Sequence, residues 1–431
     1  MLPVLRRSAP PLALLHRAAR ATTISAYGMS TKTSSRMSSA TTHANVSTPD
    51  YKLPCPDDVK QLSHHKQRNQ SFHNPWPSFV DPGGPAIMYK IMKRNLLGQA
   101  NKPDTTNPAI EVLKPTFRAQ SATIEEHSTV RATWLGHASY LLEFPSTSSN
   151  LTVIFDPVYT KRCSPLTFAG PARYTSAPCQ PADLPSIDVV VISHNHYDHM
   201  SYPDLTAIYA ANPNAHFFMP LNLKKWFLTN GIGKASTITE MDWWQSADFT
   251  LPGSSSPTAT FSCLPAQHAT ARTGPDRNAT LWCGWSITTP QTQPNPKSVY
   301  FVGDTGYRSI PEKLDTDRAF DQHNPALKEL PVCPAFAQIG KLRGPFDLAL
   351  IPIGAYAPRW LFSGLHGDPY DAVAICEDVK AKKALAMHWG TWVLTEEDVT
   401  EPRELLKEAV KEKGFEEGRF VSMAIGESLE F

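Results

Sequence analysis

The hexapeptide HNHYDH at residues 194–199 constrains this chain more than any other feature of its sequence. It directly follows the apolar run Ile187–Ser193, which predicts a buried strand that ends where the hexapeptide begins. Three histidines and an aspartate within six residues are unusual for a core or a plain turn, because buried imidazoles and carboxylates need polar partners. Imidazole nitrogen and carboxylate oxygen are ligands of zinc, iron and manganese. The hexapeptide therefore predicts a metal site at a strand end.

Ligands from other parts of the chain are expected to complete such a site, because one turn cannot close around two ions. Three candidates each follow an apolar stretch and lie beside small residues that leave room for a ligand. They are His268 in LPAQHATART, Asp304 in YFVGDTGY and His388 in ALAMHWGT. Taken alone, each fits a structural histidine or a turn aspartate as well as a ligand. Together, and in this order behind the hexapeptide, they favour metal ligation.

The chain from about residue 121 onward predicts two packed β-sheets flanked by helices. Short apolar segments recur there, and many of them end at a glycine, an aspartate or a histidine. They are TVRATWLGHASYLLEF, LTVIFDP, IDVVVISH, AHFFMP, SVYFVGDTG, FDLALIPIG and KALAMHWG. Helical stretches are predicted at Asp368–Lys383 and Glu401–Lys413. Clusters of strands separated by helices are typical of layered α/β architectures.

Residues 1–50 differ in composition from the rest of the chain. They contain six basic residues and no acidic residue before Asp50, together with many serines and threonines. This composition is typical of a mitochondrial transit peptide. The alternative is a disordered tail that does not target the protein to an organelle. Seven cysteines without a C-x-x-C pair predict reduced thiols, as in a matrix or cytosolic setting. We therefore predict a targeting or disordered segment over residues 1–50.

Residues 51–120 predict an irregular N-terminal extension with a possible role in membrane or lipid contact. In Phe72–Pro85, aromatic residues alternate with proline and glycine, so this segment is expected to lie along a surface with its rings inserted. The following segment, Ile87–Gly98, has helix-like spacing with basic residues on its polar side. It is expected to pack on the core, and contact with lipid is the alternative.

Membrane contact is expected to be peripheral, since the sequence contains no run of 18 apolar residues. In this prediction Trp76 and Phe79 enter the membrane interface, whereas Lys90, Lys93 and Arg94 meet anionic head groups. The formal net charge of +1 excludes a strongly basic nucleic-acid binder, so no nucleic-acid partner is predicted.

The order of the predicted ligands resembles that of the metallo-β-lactamase superfamily of αββα hydrolases. More narrowly, the chain resembles the N-acyl-phosphatidylethanolamine-hydrolysing phospholipase D family from residue 74 to about residue 401. The motifs that carry this resemblance are NPWPSF, WLGHAS, FDPVY, HNHYDH, MDWW, PAQHATART, LWCGW, GDTGY, IPIGAYAPRW, HGDP and HWGT. The resemblance implies a four-layer αββα sandwich over residues 121–431, preceded by the irregular extension.

The same resemblance implies two zinc ions held by seven side chains. It assigns His194, His196 and His268 to one ion, Asp198, His199 and His388 to the other, and Asp304 to a bridging position. Two Zn²⁺, two carboxylates and a bridging hydroxide leave a charge of about +1, which suits a phosphodiester monoanion.

The resemblance also implies substrate contacts at Tyr197 and His366, and catalytic roles for Asp198 and His366. His366 is expected to orient or protonate the alkoxide leaving group. The family commonly has a glutamine just before this histidine, where this chain has Leu365. His137 in WLGHAS is expected to support the site or to be structural, since the ligand set is already complete.

The function implied by the resemblance is zinc-dependent hydrolysis of N-acyl-phosphatidylethanolamine to N-acylethanolamine and phosphatidic acid, with a metal-bound hydroxide attacking phosphorus. Two alternatives stay open: a hydrolase of the same fold acting on a soluble ester, lactone or phosphodiester, and a catalytically silent lipid-binding homologue. The expected partners are a phospholipid substrate and a membrane surface, and a homodimer is left open. The expected location is mitochondrial and membrane-associated, with the cytoplasmic face of an intracellular membrane as the alternative.

Overall fold

The computed structural model describes residues 44–50, 52–57, 61, 63–67, 70–119, 128–146, 149–315 and 320–431. The targeting or disordered segment predicted for residues 1–50 therefore lies outside the described residues, except for residues 44–50. Those last residues include a short strand that joins one of the main sheets. Among the described residues, none of the helices combines the length and apolar character that crossing a bilayer requires.

The secondary structure alternates short strands with seven helices in the described part of the chain. The strands are β1 (Asn45–Ser47), β2 (His65–Lys66), β3 (Ser71–Phe72), β4 (Arg131–Trp134), β5 (Tyr140–Phe144), β6 (Leu151–Phe155), β7 (Val189–Val191), β8 (His216–Pro220), β9 (Ile238–Met241), β10 (Ser246–Thr250), β11 (Ala259–Leu264), β12 (Gly284–Thr288), β13 (Ser298–Phe301), β14 (Phe346–Pro352), β15 (Ala381–Met387), β16 (Phe420–Val421) and β17 (Ser428–Glu430). The helices are α1 (Gly84–Leu96), α2 (Tyr202–Ala211), α3 (Lys224–Thr229), α4 (Ala335–Leu342), α5 (Arg359–Phe362), α6 (Pro369–Asp378) and α7 (Glu401–Lys413).

Two large mixed sheets contain all of these strands except the β2–β3 hairpin. One has eight strands in the order β1-β10-β11-β12-β13-β14-β15-β16, and the other has seven in the order β17-β4-β5-β6-β7-β8-β9. The run β13 to β16 is parallel, as is the run β6 to β9. Strands β5, β6 and β8 are buried along their whole length, as expected for strands covered on both faces.

The two sheets pack face to face through aromatic side chains. Phe155 of β6 stacks on Phe301 of β13 with ring centroids 4.5 Å apart, and Phe218 of β8 stacks on Phe261 of β11 at 4.4 Å. Helices α2 and α3 cover the outer face of the seven-stranded sheet, and α4, α6 and α7 pack against the eight-stranded sheet. The predicted four-layer αββα sandwich of the metallo-β-lactamase type is therefore confirmed.

The two helices predicted near the C-terminus differ in how well their ends were predicted. Helix α7 has the predicted bounds, because Gly414 adopts a left-handed φ of 72° and ends it. Helix α6 ends at Asp378, five residues before the predicted Lys383. Lys380 has a φ of 57°, which a continuing helix does not allow, and β15 begins at the next residue. Lys382 and Lys383 therefore belong to a strand.

Residues 45–47, at the end of the segment 1–50, and the N-terminal extension over residues 51–120 both pack on the hydrolase domain. Strand β1 pairs antiparallel with β10 at the edge of the eight-stranded sheet, with Val46 opposite Phe249. Phe72 of the β2–β3 hairpin is fully buried in the main core. The ring of Trp76 stacks on that of Trp243 with centroids 5.4 Å apart. One face of the Trp76 indole is therefore covered by protein, and its entry into a membrane interface stays a prediction.

The side of helix α1 that faces the protein is opposite to the side that its sequence pattern predicted. Lys90 Nζ lies 4.4 Å above the ring of Trp360, and Arg94 pairs with Glu396 at 2.6 Å, so both basic side chains face the protein. Four apolar residues of the helix, Met88, Tyr89, Met92 and Leu96, point into solvent, with Leu96 83% exposed. No residue of the helix is buried. Lys90 and Arg94 are therefore engaged within the protein, against the expectation that they meet lipid head groups.

Candidate metal centre

The predicted ligands lie at the carboxyl ends of strands from both sheets. The HNHYDH turn follows β7, whereas His268, Asp304 and His388 follow β11, β13 and β15. Those three strands run in one direction, since β11 and β13 are both antiparallel to β12, and β13, β14 and β15 are parallel. Their carboxyl ends therefore meet at one edge of the eight-stranded sheet. His268, Asp304 and His388 face the HNHYDH turn of the other sheet there, and all seven predicted ligands converge.

The first ligand group consists of His194, His196 and His268, with Asp304 beside it. His196 presents Nδ1, which lies 2.9 Å from Nε2 of His194 and 3.3 Å from Nε2 of His268. Oδ2 of Asp304 lies 3.8 Å from Nε2 of His194 and 3.7 Å from Nε2 of His268. Three imidazole nitrogens and one carboxylate oxygen therefore point at a common volume, as in a four-coordinate metal site.

The second predicted ligand group consists of Asp198, His199 and His388, and His137 lies close enough to present a ring nitrogen beside them. Oδ2 of Asp198 lies 3.6 Å from Nε2 of His199 and 3.4 Å from Nε2 of His388. The same two nitrogens lie 3.1 Å and 3.0 Å from Oδ2 of Asp304. Asp304 therefore lies between the two ligand groups and contacts atoms of both.

Several polar atoms at the middle of this arrangement are buried and have no hydrogen-bond partner among the described residues. They are both carboxylate oxygens of Asp304, Nε2 of His199 and Nε2 of His388. A buried polar atom without a partner destabilises a fold by about 1–3 kcal/mol, and a coordinated cation removes that deficit. Imidazole and carboxylate donors suit zinc, and also iron or manganese. The residues of the centre therefore fit divalent metal ions.

Hydrogen bonds from outside the two groups fix the orientation of the ligand rings. Nδ1 of His199 lies 2.7 Å from Oδ2 of Asp156, and Nδ1 of His268 lies 2.9 Å from the carbonyl of Leu365. In both cases the Nδ1–H donates, which leaves Nε2 with a lone pair directed at the centre. The side chain of Asn74 binds the backbone of His268 twice, with Nδ2 donating to its carbonyl at 2.7 Å and Oδ1 accepting from its N–H at 3.2 Å.

Charges within the centre favour a bound cation. Burial lowers the pKa values of His194 and His268, so their rings are neutral and available as ligands. Burial alone would raise the pKa of Asp304, but His199 and His388 hold it well below its usual value. Burial likewise opposes protonation of His388, yet the neighbouring carboxylates raise its pKa to about 9. The carboxylates thus draw positive charge to this part of the site.

His137 joins the two sheets at the second ligand group. Its Nε2 lies 2.9 Å from Oδ2 of Asp198, and its carbonyl accepts the backbone N–H of His388 at 2.9 Å. Its backbone adopts a left-handed φ of 50°, which allows both contacts at once. Burial lowers the pKa of His137 to about 3, so the ring is a neutral donor to the carboxylate. These contacts match the supporting role expected of His137.

Arg272 was not singled out in the sequence, although it lies in the PAQHATART motif. Its Nη1 donates to the carbonyls of Asn195 and Met200 at 2.8 Å each, so it spans the HNHYDH turn from end to end. Its guanidinium also lies 3.9 Å above the ring of Tyr197. The only signal in the sequence was its position four residues after His268 on the same loop. Tyr197 is thus held by a cation on one face of its ring, and the residue is partly exposed.

An open cleft lies beside the ligand groups. It is lined by polar groups and by apolar side chains, among them Cys163, Tyr197, Phe362, His366 and Leu394. Both residues predicted to contact substrate, Tyr197 and His366, therefore border the same space as Asp198 and Asp304. Nδ1 of His366 lies 4.0 Å from Oδ2 of Asp304, and burial lowers the pKa of His366 to about 3, so its ring is neutral.

Arg359 connects the IPIGAYAPRW and HGDP motifs. Its Nε lies 3.1 Å from Oδ2 of Asp368, its Nη2 pairs with Asp371, and its Nη1 donates to the carbonyl of His366 at 3.1 Å. These three contacts are all made to the segment that carries His366, and Arg359 is itself buried. A buried guanidinium with two carboxylates therefore fixes the backbone beneath the predicted substrate contact.

A second cluster of histidine and aspartate lies outside the centre and is called the clasp here: His64, His65 and Asp242. Nε2 of His64 lies 2.8 Å from Oδ1 of Asp242, and Nε2 of His65 lies 2.7 Å from Oδ2. The ring of His64 also stacks on that of Trp243 at 4.2 Å. Each carboxylate oxygen thus accepts one imidazole N–H, and the clasp fastens the β2–β3 hairpin to the hydrolase domain.

Residues 152–324 and 323–389 match the Beta-lactamase superfamily domain. A relative from Caenorhabditis elegans, N-acyl-phosphatidylethanolamine-hydrolyzing phospholipase D 1, is 34% identical over 89% of this chain and 99% of its own length. A relative from Saccharomyces cerevisiae, N-acyl-phosphatidylethanolamine-hydrolyzing phospholipase D, mitochondrial, is 28% identical over 66% of this chain. The match spans about half of that relative, 53% of its length.

Solved structures with this fold are more distant in sequence. Igni18, a metallo hydrolase from the archaeon Ignicoccus hospitalis, is 20% identical with a TM-score of 0.43, covering 70% of this chain and 98% of its own. An isothiocyanate hydrolase from Delia radicum gut bacteria is 16% identical with a TM-score of 0.47, covering 70% of this chain and 98% of its own.

Proposed function

This chain belongs to the N-acyl-phosphatidylethanolamine-hydrolysing phospholipase D family of the β-lactamase superfamily and is a phosphodiesterase-type metallo-hydrolase; from that premise we propose that it hydrolyses N-acyl-phosphatidylethanolamine to N-acylethanolamine and phosphatidic acid. The observation that carries the proposal is the convergence of both ligand groups on Asp304 beside the cleft. The name of the relative from Caenorhabditis elegans supports the choice of substrate.

We propose that the centre holds two zinc ions. The first ligand group would hold one ion, the second would hold the other, and Asp304 would contact both. When bound, paired divalent ions supply Lewis acidity and lower the pKa of water enough to provide a nucleophile near neutral pH. The chain's own contribution is to fix the ligand geometry, through Asp156, His137 and Asn74.

The reaction breaks a phosphorus–oxygen bond: an oxygen from water joins phosphorus, and the N-acylethanolamine oxygen leaves with a proton. We propose that His366 orients that leaving oxygen, and the position of its ring beside Asp304 and at the border of the cleft supports this role. The ring is neutral, so it acts through an N–H hydrogen bond and by position. Tyr197, held by Arg272, forms another part of the cleft wall and would contact the head group.

The test of this function is to incubate the purified protein with N-acyl-phosphatidylethanolamine in ¹⁸O-labelled water and to separate the lipid products. Label is expected in phosphatidic acid and not in the N-acylethanolamine. A chelator should abolish the reaction, and added zinc should restore it. Label in the N-acylethanolamine would contradict attack on phosphorus. Hydrolysis of soluble esters or lactones alone would favour the alternative function.

The His366→Ala variant tests the proposed role of His366. Removing one hydrogen-bond donor that stabilises developing charge typically lowers kcat by roughly 10²–10³-fold. We expect that loss with an unchanged metal content, because His366 is outside both ligand groups. The matched control is His323→Ala, since His323 is an exposed histidine outside the cleft lining. If the His366→Ala variant keeps nearly full activity, this residue has no part in the chemistry.

We also propose that the protein is mitochondrial and membrane-associated. The acid-free composition of residues 1–49 supports an imported precursor, and the relative from Saccharomyces cerevisiae is named as mitochondrial. Organelle fractionation together with N-terminal sequencing of the protein isolated from cells is the test. A chain that begins at Met1 and fractionates with the cytosol would contradict the proposal.

A further inference from the structure

Residues 162–172 form a closed loop whose tip is apolar and exposed. Arg162 and Ala172 form an isolated antiparallel bridge at the base of the loop. At the tip, Phe168 is 78% exposed and Leu166 is 46% exposed. Exposed phenylalanine and leucine side chains this close together on a soluble surface usually mark a contact with a partner or a membrane.

The loop is held in shape by contacts at its base. Gly170 has a φ of 94°, and a Cβ atom there would lie 2.5 Å from Cβ of Ser164, so only glycine allows the two sides of the loop to approach this closely. The side chain of Arg162 also binds the carbonyl of Gly170. Arg173, just beyond the base, donates to the carbonyl of Thr160 at 3.0 Å. Phe168 and Leu166 are therefore presented by a braced loop.

The loop borders the cleft on one side, and helix α1 is attached near the cleft on another. Cys163, at the start of the loop, lines the cleft together with Thr395 and Phe362. Helix α1 is fastened next to those last two residues, with Arg94 pairing with Glu396 and Lys90 lying over Trp360. The exposed apolar residues of α1 are Met88, Tyr89, Met92 and Leu96. Two exposed apolar elements therefore flank the cleft.

We propose that residues 162–172 form a membrane wedge that, with α1, docks the cleft onto a phospholipid bilayer. This inference rests on the proposed function, because a diacyl phospholipid resides in a bilayer and must reach the centre from it. The charges nearby fit such an occupant: Lys161 at the base of the wedge and Lys93 on α1 are both exposed. Exposed apolar groups beside lysines are typical of surfaces that bind anionic membranes.

The experiment compares binding with catalysis in the full chain. Sedimentation with phosphatidylcholine–phosphatidylglycerol vesicles measures docking, and hydrolysis of a short-chain, monomeric N-acyl-phosphatidylethanolamine measures chemistry without a membrane. Phe168→Ser should weaken vesicle binding roughly tenfold or more, since a phenylalanine side chain is no longer buried. Its rate on the monomeric substrate should stay within about twofold of the wild type, because the side chain does not line the cleft.

Two further variants keep the test decisive. Phe168→Trp should retain vesicle binding, because tryptophan suits the membrane interface. Val332→Ser is the matched control, since Val332 is an exposed apolar residue outside both elements, and its vesicle binding should not change. Unchanged vesicle binding by Phe168→Ser would overturn the wedge. Absence of activity on the monomeric substrate in the wild type would instead overturn the proposed function, so the two failures are distinguishable.

Discussion

The clasp and the metal centre are built from the same residue types, and they differ in how their polar atoms are paired. In the clasp, the two oxygens of Asp242 accept one imidazole each. At the centre, both oxygens of Asp304 are buried without a hydrogen-bond partner among the described residues, and Nε2 of His199 shares that condition. The clasp is therefore complete as a set of hydrogen bonds, whereas the centre is complete only with cations.

Ring geometry alone does not separate the two clusters. His64 and His65 meet at 80° with centroids 4.3 Å apart, and His194 and His196 meet at 81° with centroids 4.6 Å apart. What distinguishes them is the number of nitrogens that compete for each carboxylate. Oδ2 of Asp304 alone lies within 4.0 Å of a nitrogen from each of five imidazoles. One carboxylate oxygen cannot satisfy so many rings through hydrogen bonds.

The largest effect is expected from Asp304→Ala, which tests whether the centre is a single unit. Lewis-acid stabilisation is worth several kcal/mol, so its loss should lower activity by roughly 10³-fold or more. Metal analysis should show weaker binding of both ions, since Asp304 lies within 4.0 Å of nitrogens from both ligand groups. An Asp304→Ala protein with two metal ions and full activity would contradict the bridging assignment.

Removing the carboxylate of the clasp should affect stability and leave the metals in place. Asp242→Ala deprives His64 and His65 of their shared acceptor, and leaving buried donors unpaired should lower the free energy of unfolding by about 3 kcal/mol. Urea unfolding measures this loss. Asp242→Asn is the matched control, because it keeps one acceptor oxygen and should lose less. If the metal content of Asp242→Ala fell by one ion, the clasp would be a metal site after all.

The Asn74→Ala variant probes the point where the extension touches the centre. Asn74 fixes the backbone of His268 with two hydrogen bonds, and contacts of this kind typically change metal affinity by about 10–100-fold. Titration with a competing chelator should show one ion of the pair released more easily. Asn95→Ala on the surface of α1 is the control, since Asn95 binds only a carbonyl of its own helix. Equal retention of both ions by Asn74→Ala would exclude this positioning role.

The smallest effect concerns His216, a buried histidine outside both clusters. Its Nε2 lies 2.8 Å from Oγ1 of Thr239, and burial, together with Lys224, lowers its pKa to about 4. Below pH 6.5 His216 takes up a proton in the unfolded chain but stays neutral in the folded chain. The stability that the neutral His216 contributes is therefore lost as the pH falls from 6.5 toward 4. Between pH 7 and pH 5.5 the expected loss is about 1 kcal/mol.

The variant that checks this prediction is His216→Gln, which keeps a hydrogen-bonding side chain opposite Thr239 and cannot titrate. Urea unfolding at several pH values should show a shallower pH dependence for His216→Gln than for the wild type. If the free energy of unfolding depends on pH equally in the two proteins, the pKa of His216 is not lowered in the folded chain.

Much of the fold was predictable because local patterns and the site agree. Strands that end in potential ligands, such as the one before His388, were predicted correctly. Apolar runs followed by small residues can be recognised in the sequence without knowing any distant partner. The ends of α7 were likewise readable, since Gly414 terminates the helix through its own backbone preference. The HNHYDH turn predicted a metal site because four potential ligands within six residues have few other uses.

The remaining features depend on contacts between residues far apart in the chain. The side of α1 that faces the protein follows from Glu396 and Trp360, some 270–300 residues away, so periodicity alone misassigned its basic residues. The clasp was missed because His64 and His65 gain their role only through Asp242, 178 and 177 residues further on. Arg272 was missed for a similar reason, since a single arginine has no recognisable spacing.

The ligands of the centre come from both sheets, and this has a consequence for the amount of protein in a cell. An ion held by His194 and His268 would tie one sheet to the other, and unfolding would have to release it. A ligand that binds only the folded chain stabilises it by about 2.7 kcal/mol when its free concentration is one hundred times its Kd. A cell short of the metal would hold more unfolded chain, which proteases remove. Metal supply would then set enzyme abundance as well as turnover.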